Sequence, residues 1–492
     1  MGADVSAVAS AAGMSKAALQ AELAHDKDLG YDKKSKRLLY ACESLLVNGT
    51  AAAASVKAHS HSHRRSLRAS SALPGDPDPA DTSLAFQLHS RPGASKIILL
   101  DFDGHITTGK VWNSAFTGGS TITTPPYSTD ADPAFSNTEL LNIIAIWRAV
   151  AEDFAAFDVD VTTEDRDPAT NAPWNLSGRG IRAAIGGSSN DWYGAGAGGV
   201  AYVNVFGNTN YEPAFVFPAQ LGSGTAKYVW EATSHELGHN MGLSHDGTST
   251  AGYYSCHNGW APIMGVGYYQ PLSQWSKGEY ADAKTTQDDL AIIASKVGYR
   301  ADDHGDSAAT ATALAGPGAP TTGNIERTGD VDWFTFNAAA GTASLTLALA
   351  PAYGGQARSN VDVRVQVFPA CSYVPLATWD PSTGLFAGTQ STTLPAQGTY
   401  YVTVQGVGQG ADASTGYSNY GSLGEYKLSV SYTAASAGYV SAACAPFPPA
   451  PPPPSPKPPP PRICSAKGAP CTANINCCSN NCKLQKGVRL CA

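Results

Sequence analysis

The chain has 492 residues, 43% hydrophobic and only 15% charged, with 50 glycines, 33 prolines, 10 cysteines and a formal net charge of −8. At ~100–200 residues per domain the length holds roughly two to four folded units, and the apolar fraction excludes a wholly disordered polymer. An acidic balance without a basic surface excludes nucleic acid as a partner, and no apolar run approaches the ~18–20 residues that span a bilayer.

Residues 1–90 read as a leader. Ala17–Leu46 is expected to be helical, and the stretch after it is poor in large apolar residues and ends in turn formers. Arg65-Ser-Leu-Arg68 matches a processing site in an exposed loop, with a solvated linker as the alternative; His59, His61 and His63 read as linker residues. From Lys96 the pattern changes. KIILLDF (96–102) predicts a buried strand, and Ser136 with Glu139 forms a capping box before a helix carrying Leu140, Ile143, Trp147, Val150 and Phe154 on one face. FDVDVTT (157–163) alternates like a half-buried strand. IRAAIGG (181–187) and GVAYVNVFG (199–207) follow as further strands, so a twisted sheet packed on helices is expected. GGVAYVNVF (198–206) is either an edge that receives an extended peptide or a plain sheet strand.

The segment WEATSHELGHNMGLSHDG (230–247) carries the chemistry. His235 and His239 are four apart, so on a helix both imidazoles project from one face and can share a metal. Glu236 lies between them, within reach of a metal-bound water. Gly242 can end the helix in a backbone conformation costly for other residues, which lets the chain return with His245 as third ligand. Three neutral imidazoles around Zn²⁺ leave a position open for water, as in catalytic zinc sites. Nineteen residues after His245, Met264 sits in the tight turn Ala-Pro-Ile-Met-Gly.

Past Asp302, period-two segments between Gly- and Pro-bearing turns predict an antiparallel β-sandwich over 302–435. Cys371 and Cys444 flank its later half and are candidates for one bridge. Asp302, Asp303, Asp306, Asp330 and Asp332 either bind Ca²⁺ through carboxylate oxygens or simply form turns. Residues 446–461 hold twelve prolines in sixteen positions, a polyproline spacer of ~50 Å at ~3.1 Å per residue within a linker placed at 445–462. Six cysteines (Cys464, Cys471, Cys477, Cys478, Cys482 and Cys491) crowd the tail, 463–492. Such density points to disulfides made in an oxidising compartment, although the first residues show no clear secretory signal. Asn48 and Asn175 lie in glycosylation sequons. Cys42 is a candidate cysteine switch, blocking a metal until the leader is removed; a disulfide to Cys256 or a free thiol are the alternatives.

His-Glu-x-x-His-x-x-Gly-x-x-His followed by a methionine turn is the metzincin signature. Residues 92–300 resemble secreted metzincin zinc peptidases through LDFDGH (100–105), WRAVAEDFAAFDVDVTTED (147–165), PAFVFP (213–218), SHELGHNMGLSHDGT (234–248), WAPIMGVGYY (260–269) and QWSKGEY (274–280). DDHGDSAATAT (302–312) and GDVDWFTF (329–336) resemble the opening of a bacterial pre-peptidase C-terminal domain. The proline-rich spacer gives a looser similarity to green-algal gametolysins, and the tail's C-x6-C-x5-C-C-x3-C-x8-C spacing resembles a knottin.

The resemblance implies an α+β metzincin catalytic domain at 91–301, with a twisted mixed sheet and helices, followed by the sandwich, the polyproline linker and a small disulfide-rich knot. It implies one catalytic Zn²⁺ on His235, His239 and His245, Glu236 as general base and then acid, and Met264 as the floor beneath the metal. A tyrosine two residues after the methionine, an extra ligand in some metzincins, is Val266 here, so that role does not transfer; Tyr268 or Tyr269 can stabilise the oxyanion or simply pack. The knottin resemblance implies Cys464–Cys478, Cys471–Cys482 and Cys477–Cys491.

The expected activity is therefore that of a secreted, monomeric zinc metalloendopeptidase. It would act on extracellular or cell-wall proteins, hydroxyproline-rich wall glycoproteins among them. The rival readings are a wall-binding or adhesion protein with an inert metzincin-like domain, and a tail that inhibits other proteins.

Overall fold

The structure is a computed structural model describing residues 5–42, 81–130, 132–351, 357–381, 385, 388–410 and 415–440, with the backbone of 482–485 and 488–491. It divides into two compact units, 1–447 and 448–492. In the second, Cys482–Gln485 and Val488–Cys491 pair as an antiparallel hairpin with Cys482 opposite Cys491. The proline run and the four remaining tail cysteines lie outside the described residues, as do Arg65–Arg68 and Asn48.

The first unit opens with helices α1 (Val5–Ala11) and α2 (Lys16–His25), then a hairpin of β1 (Leu29–Asp32) and β2 (Arg37–Ala41). The helix expected over Ala17–Leu46 therefore stops at His25. Asp26 takes an extended conformation there and caps the helix through its backbone N–H to the Glu22 carbonyl. The sheet continues with β3 (Lys96–Asp101). Helix α3 (Asn137–Asp153) starts at the expected capping box, where the Ser136 side chain accepts from the Glu139 N–H and Glu139 reaches back. Strands β4 (Val159–Thr162), β5 (Gly180–Ile185), β6 (Gly199–Tyr202) and β7 (Ala214–Val216) complete the sheet, ahead of helices α4 (Ala226–Met241) and α5 (Asp289–Val297).

The seven strands lie in the order β1-β2-β6-β7-β5-β3-β4. β7, β5, β3 and β4 pair in parallel, while β6 runs antiparallel to β7 on one side and to β2 on the other. One expectation changes here and one alternative is decided. β4 is buried along its whole length rather than on one face, because His89 covers its polar side, facing Asp160 at 2.6 Å and Glu164 at 2.9 Å. Of the two readings of 198–206, the plain sheet strand is the one seen, because the N-terminal hairpin of β1 and β2 adds two strands to β6.

That addition is held mainly by apolar burial. Leu38, Leu39 and Tyr40 are all buried, and a fully buried side chain of this kind contributes about 1.5–3 kcal/mol, against ~0–1 kcal/mol for an exposed ion pair.

The C-terminal part of the unit is two facing sheets. One orders Thr312–Ala313, Val331–Ala338, Gly398–Gly406, Val363–Pro369 and Ala377–Trp379; the other Pro320–Ile325, Gly424–Ser431, Gly341–Leu349 and Gly388–Leu394. Phe334, Val365, Val402 and Val404 from the first meet Leu345, Leu347, Leu428 and Val430 from the second in one core. Cys371 is disulfide-bonded, and Cys444 lies outside the described residues.

These sheets are joined to the α/β part by buried polar contacts. Asn360 Nδ2 donates to Asp153 Oδ1 at 2.5 Å, and Ser234, the residue before His235, donates through its hydroxyl to Asp153 Oδ2 at 2.5 Å. Gln274 Nε2 donates to the Asn360 carbonyl at 2.6 Å. Burial pushes the Asp153 carboxyl up to about 7, with Glu231's charge adding to it.

Candidate metal centre

Helix α4 is buried throughout and presents His235 and His239 on one face. It ends at Gly242, whose φ of 118° is a left-handed conformation that a side chain would strain, and whose N–H closes back on Gly238 and His239. The chain returns to bring His245 beside the other two rings: the centroids of His235 and His239 lie 4.8 Å apart and those of His235 and His245 5.1 Å.

Each imidazole is oriented from behind. His235 Nδ1 lies 2.9 Å from the Ile263 carbonyl, His239 Nδ1 2.8 Å from the Leu243 carbonyl and His245 Nδ1 2.7 Å from Asp26 Oδ2. An acceptor at Nδ1 fixes the proton there and leaves a lone pair on Nε2. Burial drives all three pKa values down, that of His235 to about 4 and those of His239 and His245 well below the usual range. The rings are therefore neutral, the form that binds a metal.

The Cys42 thiol joins them from the residue after β2. Its Sγ is 3.6 Å from both His239 Nε2 and His245 Nε2, which are themselves 3.1 Å apart. Two lone pairs cannot hydrogen-bond each other, so their approach calls for a cation. Zn–N of ~2.0–2.1 Å and Zn–S of ~2.3 Å give tetrahedral edges of ~3.4 and ~3.6 Å, close to the separations found. His235, His239, His245 and Cys42 can thus hold one metal ion, with all four ligand atoms within 4.8 Å of one another. Burial first, then Glu236's charge, pushes the Cys42 thiol up, an order that a divalent cation inverts by deprotonating a coordinating thiol. The disulfide considered between Cys42 and Cys256 does not form: Cys42 is a buried free thiol, and Cys256 is free and exposed.

Glu236 faces the same space with both carboxylate oxygens unpartnered, and burial holds its pKa well above the ordinary value. Gly199 on β6 makes room for it, since a Cβ there would lie 2.6 Å from Glu236 Cδ. Met264 is fully buried against the helix, where Gly238 admits it; a Cβ at 238 would meet its Sδ at 2.5 Å. Tyr268 is buried with its hydroxyl unpartnered, and charges at Cys42, Glu231 and Glu236 add to burial in raising its pKa. Tyr269 is 47% exposed and turned outward.

Sequence reasoning missed three residues. Tyr40 stacks on His239 at 4.1 Å and packs on His245 at 4.2 Å. Tyr253 packs on His245 at 4.0 Å and donates to Asp28 Oδ2 at 2.8 Å. Asp26 is the third. None belongs to a spacing motif, and the contacts of Tyr40 and Asp26 arise only from long-range packing of the N-terminal segment.

A second cluster lies in the sandwich. Asp302, Asp330 and Asp332 bring carboxylate oxygens within 4.8 Å of one another. Asp306 instead accepts from the Val331 N–H at 3.1 Å, and Asp303 lies 3.7 Å from His304. Glu326, absent from the expected set, is buried beside them with both oxygens unpartnered, as is Asp332 Oδ1.

Residues 176–276 match the sequence profile of metallopeptidase family M12, of the reprolysin type. No curated protein matches. Among solved structures the chain is similar to the pre-peptidase C-terminal domain of a Bacillus anthracis collagenase, at 18% identity over 27% of this chain and 97% of that one, with a TM-score of 0.17. It is similar at the same identity and TM-score to Aeromonas hydrophila PliG, a periplasmic inhibitor of g-type lysozyme, over 25% of this chain and 94% of that one. The catalytically inactive OgpA of Akkermansia muciniphila, in complex with an O-glycopeptide, matches at 10% identity over 68% of this chain and 91% of that one, again with a TM-score of 0.17.

Proposed function

We propose that the chain is the latent form of a secreted zinc endopeptidase of the metzincin kind, with residues 1–90 a removable leader and 91–301 the catalytic domain. The observation that carries this reading is the convergence of three neutral histidines and Cys42 on one point, with Glu236 beside it. His235, His239 and His245 would hold the ion in the active enzyme, and zinc, when bound, supplies Lewis acidity toward a water and the scissile carbonyl.

The chain's own residues do the rest. An extended substrate would lie antiparallel to β6, where the leader now lies. There the Cys42 N–H donates to the Gly199 carbonyl at 3.0 Å, the Gly198 N–H to the Cys42 carbonyl at 3.1 Å, and the Val203 N–H to the Leu38 carbonyl at 3.0 Å. Glu236 accepts the proton of the attacking water on a carboxylate oxygen and returns it to the leaving amine nitrogen. Tyr268 is the candidate donor to the developing oxyanion. The leader suppresses all of this by filling the cleft with Tyr40 and the metal's open side with Cys42, until cleavage around Arg65–Arg68 frees it.

The sandwich, placed at 302–435, would carry Ca²⁺ on Asp302, Asp330, Asp332 and Glu326, hard oxygen donors of which both Glu326 oxygens and Asp332 Oδ1 are buried without a hydrogen-bond partner. The cystine tail would tether a monomeric enzyme to wall or matrix, hydroxyproline-rich wall glycoproteins being a substrate class consistent with the proline spacer.

The test is a chelator-sensitive digest of gelatin and of hydroxyproline-rich wall glycoprotein by leader-free enzyme, with metal analysis of the pure chain. Glu236→Gln should keep its metal and lose ~10²–10⁴-fold in turnover. Full activity in that variant, or a pure chain holding no divalent metal, would overturn the reading.

A further inference from the structure

Asp26 is a leader residue, yet it supplies the only carboxylate in hydrogen-bond contact with the three histidines among the described residues. His235 and His239 are oriented by main-chain carbonyls of Ile263 and Leu243, which stay in the catalytic domain whatever happens to the leader. His245 is not: its Nδ1 faces Asp26 Oδ2 at 2.7 Å, and both side chains are almost completely buried. The other Asp26 oxygen accepts the Asp28 N–H at 3.0 Å, so the carboxylate is held in place by its own turn. Around it the leader is fixed by Glu22 to Lys284 at 2.7 Å and by Tyr253 to Asp28.

We propose that Asp26 is the outer-shell carboxylate of His245, so that the leader helps assemble and retain the metal centre that it also blocks. This rests on the reading of 235–245 as a zinc site. A carboxylate behind a histidine fixes the tautomer with Nε2 free, holds the ring's direction and raises its basicity toward the metal. Of the three ligands, His245 alone sits on a returning loop rather than on α4, so it has the most orientational freedom to lose. Metal capture is then strongest while the leader is docked, and the processed enzyme holds zinc with one ligand less well oriented. Asp26 is a positioning residue: it acts through His245 and touches no substrate.

The experiment measures zinc affinity of the full chain by competition with a chromophoric chelator, comparing the unchanged sequence with Asp26→Asn and Glu22→Gln. Asp26→Asn keeps the shape and removes the charge, and should weaken zinc binding ~10–100-fold. Glu22→Gln loosens the leader's ion pair with Lys284 without touching a histidine, and should change affinity little. The cobalt-substituted chain reports docking independently, since a thiolate-to-cobalt absorption shows Cys42 still seated. Equal affinity for Asp26→Asn and the unchanged chain overturns the proposal, and so does a loss in Glu22→Gln as large as that in Asp26→Asn, because docking alone would then account for it. A full unchanged chain that takes up no zinc or cobalt would sink the zinc-site reading itself, and this inference with it. Zinc uptake by the unchanged chain with no sensitivity to Asp26 would leave the zinc site standing and remove only Asp26.

Discussion

Gly199 on β6 and Glu236 on α4 are in direct contact across the cleft: a methyl group on Gly199 would lie 2.5 Å from Glu236 Cγ. In the proposed mechanism, the strand that would receive the peptide backbone and the carboxylate that would handle its protons are therefore fitted to each other. In the leader-free enzyme Gly199→Ala should push Glu236 aside while leaving the histidines in place. Zinc content should be unchanged, and turnover of a peptide substrate should fall by a large part of the ~10²–10⁴-fold that a positioned base contributes. Unimpaired turnover would mean that Glu236 has another position to work from.

In the proposed mechanism Cys42 occupies the place where the attacking water and the carbonyl would meet, its Sγ 3.6 Å from His239 Nε2 and His245 Nε2. Cys42→Ser replaces a soft thiolate ligand with a poorly coordinating hydroxyl. The intact chain, shown uncut by mass, should gain measurable activity from a near-zero base. The gain should stay below that of leader-free enzyme, because Tyr40 and the β2 ladder still fill the cleft. No gain at all would assign latency to the strand alone.

The junction between α3 and the sandwich should make stability fall in alkaline solution. Burial raises Glu152 to about 8 and Asp153 to about 7. Both are carboxyls whose folded-state pKa exceeds the unfolded value, so the protonated folded form is favoured. Their contribution is complete below ~4 and is lost as pH climbs through 7 to 8. The melting temperature should drop between pH 6 and 9, and Glu152→Gln, which keeps a neutral group at every pH, should flatten that drop. An identical pH profile in the variant would place the sensitivity elsewhere.

The acidic cluster of the sandwich gives a prediction of opposite pH sense. Burial and the charges of Asp303 and Asp330 raise Glu326 to about 9, and burial with Asp330 raises Asp332 to about 10. At neutral pH protons and Ca²⁺ compete for the same oxygens, so the melting-temperature gain from added Ca²⁺ should grow as pH rises from 6 to 8.5. At a hundredfold excess over Kd the stabilisation approaches ~2.7 kcal/mol. Glu326→Gln should reduce the Ca²⁺ response without altering zinc content. A Ca²⁺ response that is absent, or blind to pH, would remove the site.

Much of the centre was legible because its logic is local. The i, i+4 spacing of His235 and His239 needs only a helix, Gly242 only a turn, and the Ser136–Glu139 box only three residues of chain. Contacts spanning about two hundred residues leave no such trace. Cys42 could be suspected as a lone thiol in a leader, but its place opposite His239 depends on β2 pairing with β6. Asp26 and Tyr40 carried no signal. Glu326 resembles any surface glutamate until the sandwich closes over it, and the alternation that made β4 look half-exposed could not anticipate His89 covering its polar side.

The Asn360–Asp153–Ser234 chain of hydrogen bonds has a practical side. Cutting the gene near residue 301 to obtain a minimal protease would strip Asp153 of its amide donor and open to water the floor on which Ser234, and through it the first histidine, is set. The two halves are separate words in the sequence but one object to anyone expressing it, and a fragment that precipitates would be reporting that seam rather than a flaw in the enzyme.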